Sequence, residues 1–320
     1  MAMAEPVLVA DIGGTNARFA LAQASGEKIA IRDAKCFRVA DFETARDAVR
    51  AYLDIVDERP KKACFAAAGP VSGREVDFTN SHWRINADEI EQAFGFERVL
   101  LVNDFYALAT GVDRLGDDAF VAVKDGTPDP GAPRLALGPG TGFGQALIVP
   151  AGDGPVIVST QGGHVSFAAQ TQEEFEMMKI IAREHGRVSV ENVLSGPGLT
   201  NMYRALCIAA GTAAALSHAE EISAAAIKGE DPMAVKTVHL YCAALGRVAG
   251  DAALATGARG GVVLGGGVLP KIRNVFLQSA FVEHFVDKGP MTDYVRAIPV
   301  KLIVKEGAAL WGAAALLRER

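Results

Sequence analysis

Residues 7–22 read Val7-Leu8-Val9-Ala10-Asp11-Ile12-Gly13-Gly14-Thr15-Asn16-Ala17-Arg18-Phe19-Ala20-Leu21-Ala22. The apolar run Val7 to Ala10 leads into Asp11, a turn at Gly13-Gly14, and then Ala17 to Ala22. The last stretch is rich in alanine, so a helix competes there, but the pattern favours strand, turn, strand: a hairpin. The distinction decides the fold. Walker and dinucleotide loops run from a strand into a helix, and neither GxxxxGKS nor GxGxxG stands here. A phosphate bound by this turn is bound at a hairpin tip, where glycine N–H groups converge and Thr15 and Asn16 add side-chain donors. Asp11 ends an apolar strand, where an unpaired carboxylate is costly and a hydrated magnesium ion is a natural partner. A plain hairpin turn is the competing reading.

The same grammar recurs. Leu135-Ala136-Leu137 runs into Gly138-Pro139-Gly140-Thr141-Gly142-Phe143-Gly144 and then Ala146 to Val149. Two such hairpins, each opening about one domain's worth of chain, imply a duplicated α/β architecture with a cleft between halves. A third glycine element, Gly260 to Gly267, reads as a buried strand ending in a flexible turn, where a ligand can lie close to the backbone. A helix over Lys271 to Phe281 is expected directly after it. Helices are also expected over Thr44–Val56, Glu173–Glu184 and Met233–Thr256, with a core helix over Ala205–Leu216 that is too short to span a bilayer. Glu306–Arg320 is expected to be a small-residue helix whose basic end suits the helix dipole. Turn residues mark Gly116–Pro133 as the linker.

Composition narrows the function. The chain has 320 residues, half of them apolar and 22% charged, which suits one large domain or two ordinary ones. A formal net charge of −6 with no block of like charges argues against an electrostatic nucleic-acid binder. Cys36, Cys64, Cys207 and Cys242 form no CxxC, and read as reduced, mostly buried thiols of a cytosolic protein. The start, Met-Ala-Met-Ala-Glu-Pro, has neither the basic nor the apolar region of a signal peptide. A cytoplasmic location without membrane attachment is expected.

Three further stretches carry chemistry. Val99-Leu100-Leu101-Val102 runs straight into Asn103-Asp104-Phe105. Catalytic groups sit at the C-terminal ends of strands in α/β proteins, and a carboxylate there can accept the proton of an attacking hydroxyl. Helix capping by Asn103 or Asp104 is the competing reading, and the two can coexist. In Gln161-Gly162-Gly163-His164 the imidazole could donate to a sugar hydroxyl, or be a satisfied core or loop histidine. Glu191 taken alone reads as a solvated surface charge. Ser195 followed by Pro197 marks a helix start.

Taken together, these motifs resemble the bacterial glucokinases of the actin-like ATPase superfamily, the group typified by enterobacteria. The resemblance runs nearly end to end. It covers Ala10 to Arg18, Ala67-Ala68-Gly69-Pro70-Val71, Leu101 to Phe105, Leu137 to Gly142, Gly162-Gly163-His164, Leu194 to Leu199 and Gly265-Gly266-Gly267. It implies a two-lobed actin-like (ribonuclease H-like) α/β fold, with a small lobe of residues 1–114 plus 305–320, a large lobe of 115–304, and a cleft between them. The implied activity is ATP-dependent phosphorylation of D-glucose to D-glucose 6-phosphate, feeding glycolysis, usually by a homodimer.

The resemblance also implies roles. Asp104 is the general base and touches the sugar, whose hydroxyls Asn103, Gln161, His164 and Glu191 bind, while Gly69 and Pro70, with Ala67, shape the pocket floor. ATP is held by Ala10, Asp11, Ile12, Gly13, Gly14, Thr15 and Asn16, by the second clamp Gly138, Gly140, Thr141 and Gly142, and by the adenosine-side turn Gly265, Gly266 and Gly267. Asp11 faces Mg2+ through water.

One position departs from the pattern. The family usually has Glu where Gln161 stands, and Gln loses the charge and adds a donor. Ser166 replaces a family acid and receives no role. The zinc-reading branch has a cysteine-rich loop that this sequence lacks, so no structural zinc is expected. Rival readings are a kinase for mannose, fructose or an N-acetylated amino sugar, a non-catalytic sugar or ATP sensor, and an actin-like ATPase of the chaperone or filament type.

Overall fold

A computed structural model describes residues 5–25, 28–78, 81–152 and 154–318. The N-terminal Met-Ala-Met-Ala and the Arg320 end of the expected last helix lie outside the described residues. The strands, in chain order, begin with β1 (Val7–Ile12), β2 (Asn16–Ser25), β3 (Lys28–Arg38) and β4 (Lys62–Ala67). A small ladder follows, β5 (Val71–Ser72), β6 (Glu75–Asp77) and β7 (Arg84–Asn86), and then β8 (Arg98–Asn103). The later strands are β9 (Phe120–Lys124), β10 (Arg134–Pro139), β11 (Phe143–Val149), β12 (Val156–Thr160), β13 (Gly261–Leu264) and β14 (Val300–Ile303).

Two sheets repeat one plan. The first has the order β3-β2-β1-β4-β8, and the second β12-β11-β10-β13-β14 with β9 added at the edge. In each, a glycine-tipped antiparallel hairpin is followed by two parallel strands. The tips close at Ile12↔Ala17 and at Pro139↔Phe143, and the parallel pairs are β1–β4, β4–β8, β10–β13 and β13–β14. Ala17 to Ala22 is therefore strand, despite its alanines. Tertiary pairing overrides propensity there, because both neighbours of β2 supply ladder partners.

The chain forms two compact units. One comprises Met1–Phe120, Ile157–Ser159 and Lys305–Arg320, and the other Val121–Val156 and Thr160–Val304. In the first unit, β1 is buried on both faces, as parallel-sheet strands are. Leu8, Ala10 and Ile12 pack with Phe19, Tyr52 and Phe65 on one side. Val9, Ala20 and Cys64 meet Leu310, Ala313 and Ala314 of the helix Ala309–Leu316 on the other. That helix approaches the helix Asp104–Gly111 so closely that a Cβ on Gly312 would stand 1.7 Å from the Ala107 carbonyl oxygen. The second unit centres on the helix Pro232–Thr256, whose Val238, Tyr241 and Leu245 are fully buried.

Several expectations are corrected. The helix expected over Ala205–Leu216 is Gly196–Ala209, and Gly211 at φ +68 follows its end, with residues 212–216 irregular and only Leu216 of them partly buried. Lys271–Phe281 is two short helices, Arg273–Leu277 and Phe281–Val286, so the turn at Gly265–Gly267 does not open directly into a helix. The last helix starts at Ala309, after Gly307 turns the chain at φ +66. The linker is partly structured, since β9 joins the second sheet beside β14. Cys36 is exposed and the other three cysteines are buried. Among the described residues no helix is long and apolar enough to cross a membrane.

Candidate active site

In the first unit, three adjacent parallel strands end side by side, and the site residues expected there lie at or just beyond those ends. β1 delivers Asp11 and the Gly13-Gly14 tip, β4 delivers Ala67 to Pro70, and β8 delivers Asn103 and Asp104. The loops are tied together: Ala68 N–H donates to the Ile12 carbonyl at 2.9 Å, and Asn103 Nδ2 donates to the Gly69 carbonyl at 3.5 Å. Asn103 also caps the helix Asp104–Gly111, accepting from Phe105 N–H at 3.0 Å and Tyr106 N–H at 3.2 Å. The cap fixes Asp104 at the first position of the helix.

Asp11 and Asp104 are electrostatically linked. Burial, and next the charge of Asp11, push the Asp104 carboxyl up to about 7, although Phe105 N–H donates to it at 2.8 Å and opposes the shift. Burial also raises Asp11, against the pull of Arg18, its cross-strand partner. Arg18 in turn donates to Glu306 Oε2 at 2.7 Å. Gly13 spends its N–H on the Asn16 carbonyl at 2.9 Å, which closes the tip, so that donor belongs to the turn and not to a ligand. Thr15 and Asn16 are exposed at the tip.

The second unit brings together elements far apart in sequence. The turns at Gly138–Gly142 and Gly265–Gly267 interlock: Gly265 N–H donates to the Leu137 carbonyl at 2.9 Å and Val268 N–H to the Pro139 carbonyl at 3.2 Å. A Cβ on Gly266, whose φ is +86, would lie 2.2 Å from the Pro139 carbonyl oxygen, so only glycine fits. Gly140 N–H is held by the Gly142 carbonyl at 2.8 Å. Gln161-Gly162-Gly163-His164 forms a short 3-10 turn in which His164 N–H donates to the Gln161 carbonyl at 3.0 Å, with both side chains exposed.

Glu191 is not a solvated surface charge. It is partly buried, and its Oε2 accepts from Phe143 N–H at 2.8 Å. Its helix, Val190–Val193, is capped by Ser189 and joined to the His164 segment through Val190 N–H to the Val165 carbonyl at 2.9 Å. Phe143 is absent from the expected site because a backbone donor leaves no mark in residue type. Ser166 has a partner after all, accepting from Arg187 Nε at 3.2 Å and Nη2 at 3.1 Å. Among the described residues no three His, Cys, Asp or Glu side chains gather as a metal site.

Two sheets of one plan, each headed by a glycine-tipped hairpin, with carboxylates at the strand ends of the first, define an enzyme of the actin-like sugar-kinase class. The comparisons with known proteins narrow the class. The family model described as Glucokinase matches residues 8–320. A glucokinase of Saccharophagus degradans is 41% identical over 314 residues, 98% of this chain and 98% of that one. The crystal structure of a glucokinase from an Antarctic psychrotroph has a TM-score of 0.83 at 40% identity, covering 99% of this chain and 100% of that chain. That of the Balamuthia mandrillaris glucokinase, in complex with glucose, has a TM-score of 0.82 at 25% identity, covering 98% and 94%. The chain belongs to the glucokinase family.

Proposed function

We propose that the chain moves the terminal phosphoryl group of Mg-ATP onto the 6-hydroxyl of D-glucose, giving D-glucose 6-phosphate and ADP, with Asp104 receiving the hydroxyl proton. The observation that carries this reading is the Asp104 carboxyl itself. It stands at the end of β8 on a capped helix start, with its proton affinity raised to about 7 by burial and by Asp11. A base of that strength is half ionised near neutrality and holds a proton better than an ordinary carboxylate, which suits an acceptor working at that pH.

Asn103, Gln161, His164 and Glu191 are proposed to bind glucose hydroxyls, with Gly69 and Pro70 shaping the floor beside Asn103. The Gly13–Asn16 tip and the Gly138–Gly142 turn are proposed to hold the phosphates, and Gly265–Gly267 the adenosine side. Because phosphoryl transfer relies on positioning and charge neutralisation, these rigid turns supply much of the rate. Asp11 fits a hydrated magnesium ion: it offers hard oxygen donors, and burial leaves its carboxylate short of compensating charge. When bound, the ion neutralises charge on the phosphate oxygens. A homodimer in the cytoplasm belongs to the same reading. It is supported by the family resemblance, and sedimentation of the purified chain tests the dimer.

The test is turnover of Asp104→Ala against the parent protein with saturating glucose and Mg-ATP. A loss of several orders of magnitude in kcat, with an unchanged circular dichroism spectrum, is expected. Near-normal kcat removes Asp104 from the role.

A further inference from the structure

Gly142 lies in the turn proposed for the phosphates, yet its nearest neighbour is the carboxylate proposed for the sugar. A Cβ built on Gly142 would stand 2.4 Å from Glu191 Oε2 and 3.2 Å from its carboxyl carbon. The next residue, Phe143, donates its N–H to the same oxygen at 2.8 Å. The Phe143 carbonyl oxygen in turn lies 2.3 Å from where a Cβ on Gly163 would stand, in the turn that carries Gln161 and His164. One residue of β11, Phe143, thus approaches both stretches proposed to bind sugar through its N–H and its carbonyl, and it follows directly from the turn proposed to bind phosphate.

The backbone around Glu191 is pinned, so any intrusion falls on its side chain. Ser195 Oγ donates to the Glu191 carbonyl at 2.8 Å, and Gly196 N–H donates to the Gly140 carbonyl at 2.9 Å. Ser189 and Asn192 close a capping box around the short helix. The atoms that a Cβ at 142 would displace are the far end of a flexible side chain, so the protein accommodates alanine there by moving the carboxylate and keeps its fold.

We propose that Gly142 is a positioning residue for glucose. Its missing side chain leaves the space in which Phe143 N–H holds the Glu191 carboxylate, so sugar affinity depends on position 142 even without nucleotide. The inference rests on the reading of Glu191 as a glucose ligand, and a double-mutant cycle separates the two.

The experiment is calorimetric titration of glucose into nucleotide-free parent protein, Gly142→Ala, Glu191→Ala and the double variant, each checked by thermal melting. Losing a hydrogen bond from a charged group predicts about a tenfold or larger rise in the glucose Kd for Gly142→Ala. On the Glu191→Ala background the same substitution is expected to add nothing, since the atom it displaces is gone. An unchanged glucose Kd in Gly142→Ala, or an equal rise in both backgrounds, overturns the inference while leaving the reading of Glu191 in place. An unchanged Kd in Glu191→Ala overturns that reading, and the inference with it.

Discussion

Asp11 and Asp104 stand at the ends of two parallel strands of one sheet that are separated by a single strand, and the charge of the first raises the proton affinity of the second. The pair sets the pH at which the proposed base works. A base acts in its deprotonated form, so kcat/KM for glucose should be low at pH 5.5, rise through about 7 with unit slope, and level off above. A pH–rate profile of the parent protein checks this. A midpoint near 4 would mean that Asp104 is an ordinary carboxylate in the free enzyme.

The same shift governs stability. Folding raises the Asp104 pKa from 3.8 to about 7, so between those values the folded state binds more protons than the unfolded one. Its contribution to stability therefore falls as pH rises from about 4 to about 7. Asp104→Asn removes the partly buried charge. It should melt a few degrees above the parent at pH 8, with the difference vanishing toward pH 4, in calorimetric scans at both pH values. A variant that melts lower at pH 8 would show that the Phe105 contact outweighs burial.

Gln161 is exposed at the start of the 3-10 turn that carries His164. A hydrogen bond to a charged acceptor is worth roughly 1.5–3 kcal/mol, against about 1 for a neutral one. Gln161→Glu should lower the glucose KM about tenfold with little change in kcat. Steady-state kinetics at saturating ATP reads both constants, and an unchanged KM would mean that the glutamine already serves the sugar fully.

Glu174 and Arg247 form an ion pair that is almost wholly buried, between the helices Gln172–His185 and Pro232–Thr256 of the second unit. Glu174 also accepts from Gln170 N–H at 2.8 Å, closing the start of its own helix. Removing one member of a buried pair leaves an uncompensated charge, so Arg247→Met should cost about 3–5 kcal/mol in urea unfolding. Arg247→Met combined with Glu174→Gln should recover part of that loss.

Much of this was legible from local pattern. Both hairpins announce themselves by glycine and threonine between apolar runs, and the duplication of the sheets follows from their recurrence. The strand end at Asn103-Asp104 is equally plain, because an apolar run meets two polar residues there. Where the reading overreached, composition stood in for packing. Residues 212–216, mostly alanine, suggest a helix, but Gly211 takes a left-handed conformation and residues 212–215 beyond it are exposed. β9 hid in a turn-rich stretch, since five residues give too short an alternation to stand out. The environment of Glu191 was beyond local reading, because its partner Phe143 lies 48 residues away and contributes only a backbone N–H.

Initial-rate phosphorylation decides whether this chain phosphorylates glucose with Asp104 as the proposed base. Purified parent protein and Asp104→Ala are assayed with Mg-ATP, glucose is titrated into the tens of millimolar, and product is read by coupling to glucose-6-phosphate dehydrogenase. Saturable turnover by the parent protein, falling by several orders of magnitude in the variant, is the predicted result. Folded, ATP-binding protein that leaves glucose untouched, or a variant that turns over as fast as its parent, would contradict it.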